Sequence, residues 1–436
     1  MAETVREHGL PLIQDADLNG KIVLVRFDHN VVKKGEIRDP FRIDRTIGTL
    51  FHIVERGGRP IMMTHVGRPK DKKTGAIVCR PEEAVEPIVG YLEQKLHTTI
   101  HIPKIPADHE KGIPGIDTSI NLAIRELRDR KLGGIYLPNT RWFQGEEAKG
   151  GASESFALQL AGLADIYVND AFGSWQPHAS TYNVAGFLPA YAGFLMQQEI
   201  LNLERVLSPE RPFLAVVAGA KYDTKIGPLS AIYEKVDRLI LGGVIYNTYL
   251  CAKYDVRMRG VLEEDIKLAK ELVDKDRLQR KIVELPHIVE SDILEARTEG
   301  KYRTISVRDF RPGKGYEYIL DIDPASFEDG AVASAIAEAR TIFVNAVMGF
   351  TPHFSSGSQA LDHTIDKNST AMKMYGGGDT LQEFKDLCPG LYLSVMDNAN
   401  YYFFTGGGTV LTAIEQGSPF GLKPIQALID AGRRSV

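Results

Sequence analysis

The sequence predicts two α/β domains, each built on a parallel sheet. Three observations carry that reading. Short β-like runs alternate with helical patterns along the whole chain, and alternation at this spacing means βαβ units. At 436 residues the chain exceeds what one ordinary core holds. The strand ends are of two kinds. In the second half they close on glycine clusters: Ala218-Gly219-Ala220-Lys221, Gly242-Gly243, Gly376-Gly377-Gly378-Asp379-Thr380 and Thr405-Gly406-Gly407-Gly408-Thr409. In the first half they close on cations and polar groups: Arg26-Phe27-Asp28-His29-Asn30, His65-Val66-Gly67-Arg68-Pro69, Arg42 and Arg141. Glycines let backbone N–H groups approach a polyphosphate with no Cβ in the way. One half reads as a nucleotide binder, the other as an anion binder.

The expected strands are Lys21–Arg26, Pro60–Met63, Gly134–Leu137, Ile166–Asn169, Phe213–Ala218, Arg238–Leu241, Lys281–Leu285, Thr341–Val344 and Tyr401–Phe404. Apolar residues at helical spacing predict helices over Pro81–Leu96, Ser153–Leu163, Glu263–Leu278 and Ala331–Ala339. The charged run Asp265–Lys281 reads as a solvated helix face. A longer pattern, Phe194–Leu207, follows Pro189 and reads as a helix joining the domains. The expected division is residues 1–188 as an acid-substrate domain, 189–207 as the joining helix, 208–422 as a nucleotide domain, and 423–436 returning to the first domain.

Composition narrows the function classes. A net charge of −5 argues against a nucleic-acid binder, which would show a basic excess. Three cysteines, Cys79, Cys251 and Cys388, lie far apart with no CxxC pattern, so neither a disulfide framework nor a zinc knuckle is expected. The segment Met1–Glu7 lacks the apolar core of a signal peptide. No apolar stretch approaches the ~20 residues that span a bilayer. The expectation is a cytoplasmic monomer with small-molecule partners.

No Gly-x-x-x-x-Gly-Lys-Ser/Thr occurs, and no protein-kinase Gly-rich loop with a His-Arg-Asp partner. Lys221 and Lys225 stand four residues apart at a strand end. If a helix starts there, both ammonium groups lie on one side near its positive end, which suits a polyphosphate or a phosphoryl group in flight.

From about Lys21 to the C-terminus the sequence resembles the phosphoglycerate kinase family. The matching stretches are Val25–Asn30, Arg42-Ile43, His65–Pro69, Asn139–Phe143, Val168–Gly173, Ala192–Met196, Gly219–Lys221 with Lys225-Ile226, Asn345–Gly349, Gly376–Thr380 and Thr405–Gly408. The resemblance implies two Rossmann-like domains with a hinge. It implies transfer of the acyl phosphate of 1,3-bisphosphoglycerate to Mg-ADP, giving 3-phosphoglycerate and ATP. It places Asp28, Asn30, Arg42, His65, Arg68, Arg141 and His178 around the phosphoglycerate. It places Gly219, Ala220, Lys221, Lys225, Gly242, Gly243, Asn345, Gly376, Gly377, Gly378, Asp379, Thr380, Gly406 and Gly407 around the nucleotide, with Asp379 the Mg²⁺ partner. Arg42, Lys221 and Lys225 are the expected catalytic cations.

Three departures stand out. The family follows its Asn-Asp-Ala-Phe-Gly with a His-Arg-Ala-His segment; here Ser174–Thr181 is shorter and has no arginine. The family's ribose-binding acid after the Met-Gly turn is absent from Gly349–Phe354. Thr224 stands where the family has an aspartate. Two other readings therefore stay open at this point: a related kinase for another phosphorylated acid, and a nucleotide-binding homologue without catalysis.

Overall fold

The computed structural model describes residues 2–220, 222 and 226–434. Lys221 and Lys225, with Asp223 and Thr224, lie outside the described residues. The chain divides into two compact units, Met1–Leu201 with Pro419–Val436, and Asn202–Ser418. The division falls inside the helix Phe194–Leu207.

Unit 1 holds a six-stranded sheet. Edge to edge it runs Ile100–His101, Gly134–Tyr136, Arg59–Met63, Ile22–Phe27, Ile166–Asp170 and Ala190–Ala192. Every pairing is parallel. The central strand Ile22–Phe27 is buried at all six positions. That is the signature of a strand covered on both faces, and it explains an apolar run without alternation. Val23 and Val25 pack with Leu50, Ile53, Val89 and Leu92 from helices on one side. The C-terminal helix Lys423–Arg434 packs beside the strand Ala190–Ala192. Ala192 N–H donates to Pro11 O at 2.8 Å, so the N-terminal segment also ties to this edge.

Unit 2 holds a five-stranded parallel sheet in the order Arg238–Gly242, Phe213–Gly219, Thr341–Asn345, Met372–Gly376, Tyr401–Phe404. The chain leaves its first strand in one direction and later returns on the other side. Such a reversal opens a crevice at the carboxyl ends of the central strands, where open α/β sheets bind ligands.

Two expectations need correction. Lys281–Leu285 is not a strand. It meets the sheet edge through one bridge, Leu239 to Ile282, and then its backbone is claimed by side chains. Lys281 and Ile282 N–H donate to Asp276 Oδ1, and Leu285 N–H donates to the Tyr246 hydroxyl. The charged run is not a uniformly solvated face either. Asp265 and Asp276 on the helix Glu263–Gln279 are buried, and Asp276 takes the hydroxyls of Tyr233 at 2.9 Å and Tyr249 at 3.2 Å. A small antiparallel sheet, His287–Ser291 with Tyr302–Ser306 and Tyr318–Ile322, was not expected from the sequence. Among the described residues no helix is long and apolar enough to cross a membrane.

Candidate active site

In unit 1 the parallel register brings the carboxyl ends of four strands to one edge. Ile22–Phe27 delivers Arg26, Asp28 and Asn30, while Arg59–Met63 delivers His65 and Arg68. The turn after Gly134–Tyr136 delivers Arg141, and the loop after Ile166–Asp170 delivers His178. Asn139 fixes two of these loops together. Its Oδ1 accepts from Val66 N and Arg141 N, and its Nδ2 donates to Val66 O and Glu83 O. Asn30 Oδ1 accepts from Gly67 N at 3.0 Å, which adds a third tie.

Arg26 does not pair with Asp28, the alternative its spacing suggests. It is fully buried, donates from Nε to Ser180 Oγ at 2.9 Å, and bonds the Phe27 carbonyl. Its Nη2 lies 3.0 Å from His65 Nδ1. A guanidinium only donates, so His65 Nδ1 must accept and its proton sits on Nε2. Asp28 pairs instead with Arg42, at 3.3 Å. The other carboxylate oxygen of Asp28, Oδ1, is buried without a hydrogen-bond partner among the described residues.

His65 reports the field of the whole group. Burial drives its pKa well below the usual histidine value, and Arg141, Arg26, Arg42 and His178 all push the same way. A neutral imidazole near three guanidinium groups marks a place suited to an anion. Arg68 is exposed at its margin. His178 is also lowered, first by burial, against the pull of Glu146 and Glu147. Sequence reasoning missed both of these acids, because an acidic pair after a turn reads as solvated charge. Glu146 is fully buried and holds Ser180, and Glu147 pairs with Arg141 at 2.9 Å.

In unit 2 the strand ends at Gly219, Gly242, Asn345 and Gly376 lie along one edge. Three helices start there: Gly243–Tyr254 after Gly242, Gly378–Leu387 after Gly377, and Gly407–Gln416 after Gly406. Each has a glycine at its N-cap, which supplies no side-chain cap. Helix starts of this kind suit an anionic ligand. Gly377 takes φ +123°, and a Cβ on Gly407 would stand 2.3 Å from Gly377 Cα. Only glycine permits that approach, which puts two helix starts side by side. Asn345 Nδ2 bonds the Gly376 carbonyl. Ala220 and Asp379 are exposed at this edge, and Thr380 is buried behind Asp379.

The Met348-Gly349 turn has an acid beneath it after all, but one already engaged. A Cβ on Gly349 would lie 2.6 Å from Asp321 Oδ1. Asp321 accepts from Ser356 N, Gly357 N and Ile322 N, so it caps the helix Ser356–Asp366. Burial pushes its pKa up to about 6. His353 is exposed. A second unforeseen acid, Glu383, is buried one turn beyond Asp379, with Oε1 lacking a hydrogen bond among the described residues. Its pKa rises to about 7, first through burial and then through Asp321, Asp379 and Asp386, against a hydrogen bond from Ser358. Its place one residue before buried Phe384 was a legible signal.

The family model described as phosphoglycerate kinase matches residues 13–417. A phosphoglycerate kinase of Roseiflexus sp. (strain RS-1) is 35% identical over 412 residues, covering 92% of this chain and 95% of that protein. One from Thermus thermophilus is 34% identical over 423 residues, covering 94% and 98%. The solved phosphoglycerate kinase of Coxiella burnetii superposes with a TM-score of 0.73 at 27% identity, over 97% of this chain and 99% of that one. The structure from Pyrococcus horikoshii gives 0.76 at 21% identity, over 98% and 100%, and speaks for the fold. With the whole of both sheets and both strand-end edges inside these matches, the chain belongs to the phosphoglycerate kinase family, and is a phosphotransferase.

Proposed function

We propose that the cationic edge of unit 1 takes the phosphoglycerate and the glycine edge of unit 2 takes the adenine nucleotide in the family's reaction. The reaction moves a phosphoryl group reversibly between the acyl phosphate of 1,3-bisphosphoglycerate and ADP, giving 3-phosphoglycerate and ATP. The observation that carries this reading is the gathering of three arginines at one strand-end edge: Arg26 at 3.0 Å from buried His65, Arg42 on Asp28, and Arg141 bonded to the Gly67 carbonyl two residues beyond His65.

Phosphoryl transfer asks little covalent chemistry of a protein; it asks for positioning and charge stabilisation. Arg141, Arg68 and the Nε2–H of His65 supply donors to the acid's anionic groups. Asp28 Oδ1, buried and without a bond, is an acceptor matched to a substrate hydroxyl, since leaving it unmet costs about 1–3 kcal/mol. Arg42, held by Asp28, is placed to neutralise charge on the moving phosphoryl group. On the nucleotide side the helix starts at Gly378 and Gly407 suit phosphate oxygens.

Mg²⁺ fits what is present. Among the described residues no three acidic, histidine or cysteine side chains gather into a metal-binding group. Exposed Asp379 at a helix start matches a cation held by one carboxylate and substrate phosphates. When bound, the ion neutralises and orients those phosphates. Lys221 and Lys225 are proposed to do the same from outside the described residues. The test is a coupled assay with 3-phosphoglycerate and ATP. Turnover confirms the assignment, and a folded protein without turnover overturns it.

A further inference from the structure

Two adjacent acids sit against the cations of unit 1 and act differently. Glu146 is fully buried, and both oxygens are committed to Ser180, Oε1 at 2.5 Å from Oγ and Oε2 at 3.0 Å from the backbone N–H. It supports the loop that carries His178. Glu147 is only partly buried. One of its oxygens, Oε1, lies 2.9 Å from Arg141 Nε and 3.9 Å from His178 Nε2. Arg141 Nε makes this contact outside hydrogen-bond geometry. The guanidinium's aligned bond goes elsewhere, from Nη1 to Gly67 O at 2.6 Å. So Gly67 fixes the orientation of Arg141, while Glu147 chiefly supplies countercharge. That charge is removable without loss of the bond that aims the arginine.

We propose that Glu147 is a positioning residue that acts as an internal competitor: its carboxylate occupies Arg141 and His178 in the empty site and holds down the affinity of that site for anions. The inference rests on unit 1 being the acid-substrate site and deepens that reading. A carboxylate a few Å from an incoming anion repels it and shares its cations. The acid must then bind through contacts a bare inorganic anion lacks, such as the one Asp28 Oδ1 offers. Lower affinity also means faster dissociation, which matters where product release limits turnover. The shortened loop fits this scheme. With no arginine in Ser174–Thr181, Arg141 is the guanidinium that faces Glu147 among the described residues, with His178 beside it.

The test is sulfate binding by calorimetry on the full chain, with the nucleotide site filled by excess ATP. Glu147→Gln keeps the shape and removes the charge, and sulfate should bind about tenfold more tightly. Glu147→Asp keeps the charge and should stay close to the wild type. In turnover, Glu147→Gln should lower the KM for 3-phosphoglycerate and leave that for ATP in place, a split that general loosening would not produce. Sulfate affinity that is unchanged or weaker in folded Glu147→Gln overturns the proposal. If sulfate tightens as expected but the wild type ignores 3-phosphoglycerate, the competitor role stands and the substrate assignment fails.

Discussion

The two units bury opposite kinds of titratable group beside their ligand edges. In unit 1 they are bases kept neutral: burial takes His29 down to about 3 and His65 well below its usual value. His29 is satisfied in that state by the Tyr136 hydroxyl at 2.9 Å and the Thr46 hydroxyl at 2.8 Å. In unit 2 they are acids whose pKa burial raises, Asp321 to about 6, Glu383 to about 7 and Asp362 well above the carboxylate range. Burial disfavours charge in both cases. The neighbours differ, arginines on one side and carboxylates on the other. On the proposed assignment, unit 1 presents fixed side-chain charge to its ligand, and unit 2 presents backbone dipoles at helix ends. Asp170 is the exception in unit 1. It caps the start of the helix Phe194–Leu207 through Met196 N at 2.9 Å, and burial raises it to about 7.

The largest test of this contrast removes a lysine that the family resemblance assigns to the nucleotide. Lys225→Ala should lower kcat by roughly two orders of magnitude or more, with little change in the KM for nucleotide. Its expected role is at the transition state, where the fixed amides cannot follow the moving charge. Arg68→Ala, at the exposed margin of the cationic edge, should instead raise the KM for phosphoglycerate. Steady-state kinetics of both variants decide the matter; a folded Lys225→Ala with near-normal turnover removes that residue from the chemistry.

The second test attacks the backbone approach itself. Gly407→Ala would set a Cβ 2.3 Å from Gly377 Cα and 2.6 Å from its nitrogen, atoms that cannot rotate away. A loss of about 1–3 kcal/mol in stability is expected, with a several-fold higher KM for nucleotide. Gly390→Ala, where the added carbon meets nothing within 4 Å, is the control. Denaturant midpoints and nucleotide KM values for the pair should separate clearly. Equal behaviour would show that the two helix starts are not held by this contact.

These residues also show how far the sequence was legible. The glycine clusters and the Arg/His strand ends could be read because each is a local pattern tied to a strand end. Phe194–Leu207 and Tyr401–Phe404 are observed with the expected bounds, both being unbroken periodic or apolar runs. Glu146 and Asp321 escaped because their partners are distant in sequence, at residues 180 and 356–357. Glu147 escaped although Arg141 is six residues away, because an acidic pair after a turn reads as solvated charge. Lys281–Leu285 misled because, beyond one bridge to Leu239, its N–H groups go to the side chains of Asp276 and Tyr246.

The third test uses pH. Glu383 has a folded pKa of about 7, raised above its ordinary 4.5. The native state therefore binds more protons than the unfolded state between those values, so this stability is present at low pH and lost as pH rises toward 7. Glu383→Gln should be close to wild type in stability at pH 4 and more stable by on the order of 2 kcal/mol at pH 8. His29 and His65 act with the other sign. Their folded values lie below 6.5, so the unfolded state takes up protons first and stability falls as pH drops below that value. Urea midpoints across pH 4–8 for wild type and Glu383→Gln check both limbs. A gap that does not widen with pH would mean Glu383 is ionised in the fold.

The smallest expected effect concerns the sugar. A ribose hydroxyl is usually discriminated by a side chain that would be left without its hydrogen bond if the hydroxyl were missing. In this chain the segment Gly349–Phe354 offers no carboxylate. Asp321 lies beneath the turn, but its oxygens accept the Ser356 and Gly357 N–H groups at the start of the helix Ser356–Asp366, and the N–H of its neighbour Ile322. Turning it toward a ribose would uncap that helix, at a cost of about 1 kcal/mol that offsets the new bond. Binding should therefore lean on the phosphate contacts at Gly376–Thr380 and Gly407, which do not sense the 2′ position. The expectation is a kcat/KM for dATP within about threefold of that for ATP, with strong dependence on Mg²⁺ for both. Exposed His353 is a polar side chain of that segment, beside Thr351, that can bond a hydroxyl in either tautomer. A tenfold or greater preference for ATP that disappears in His353→Ala would move ribose recognition to that residue, and would show that the nucleotide edge, too, uses a side chain where the backbone-dipole reading has none.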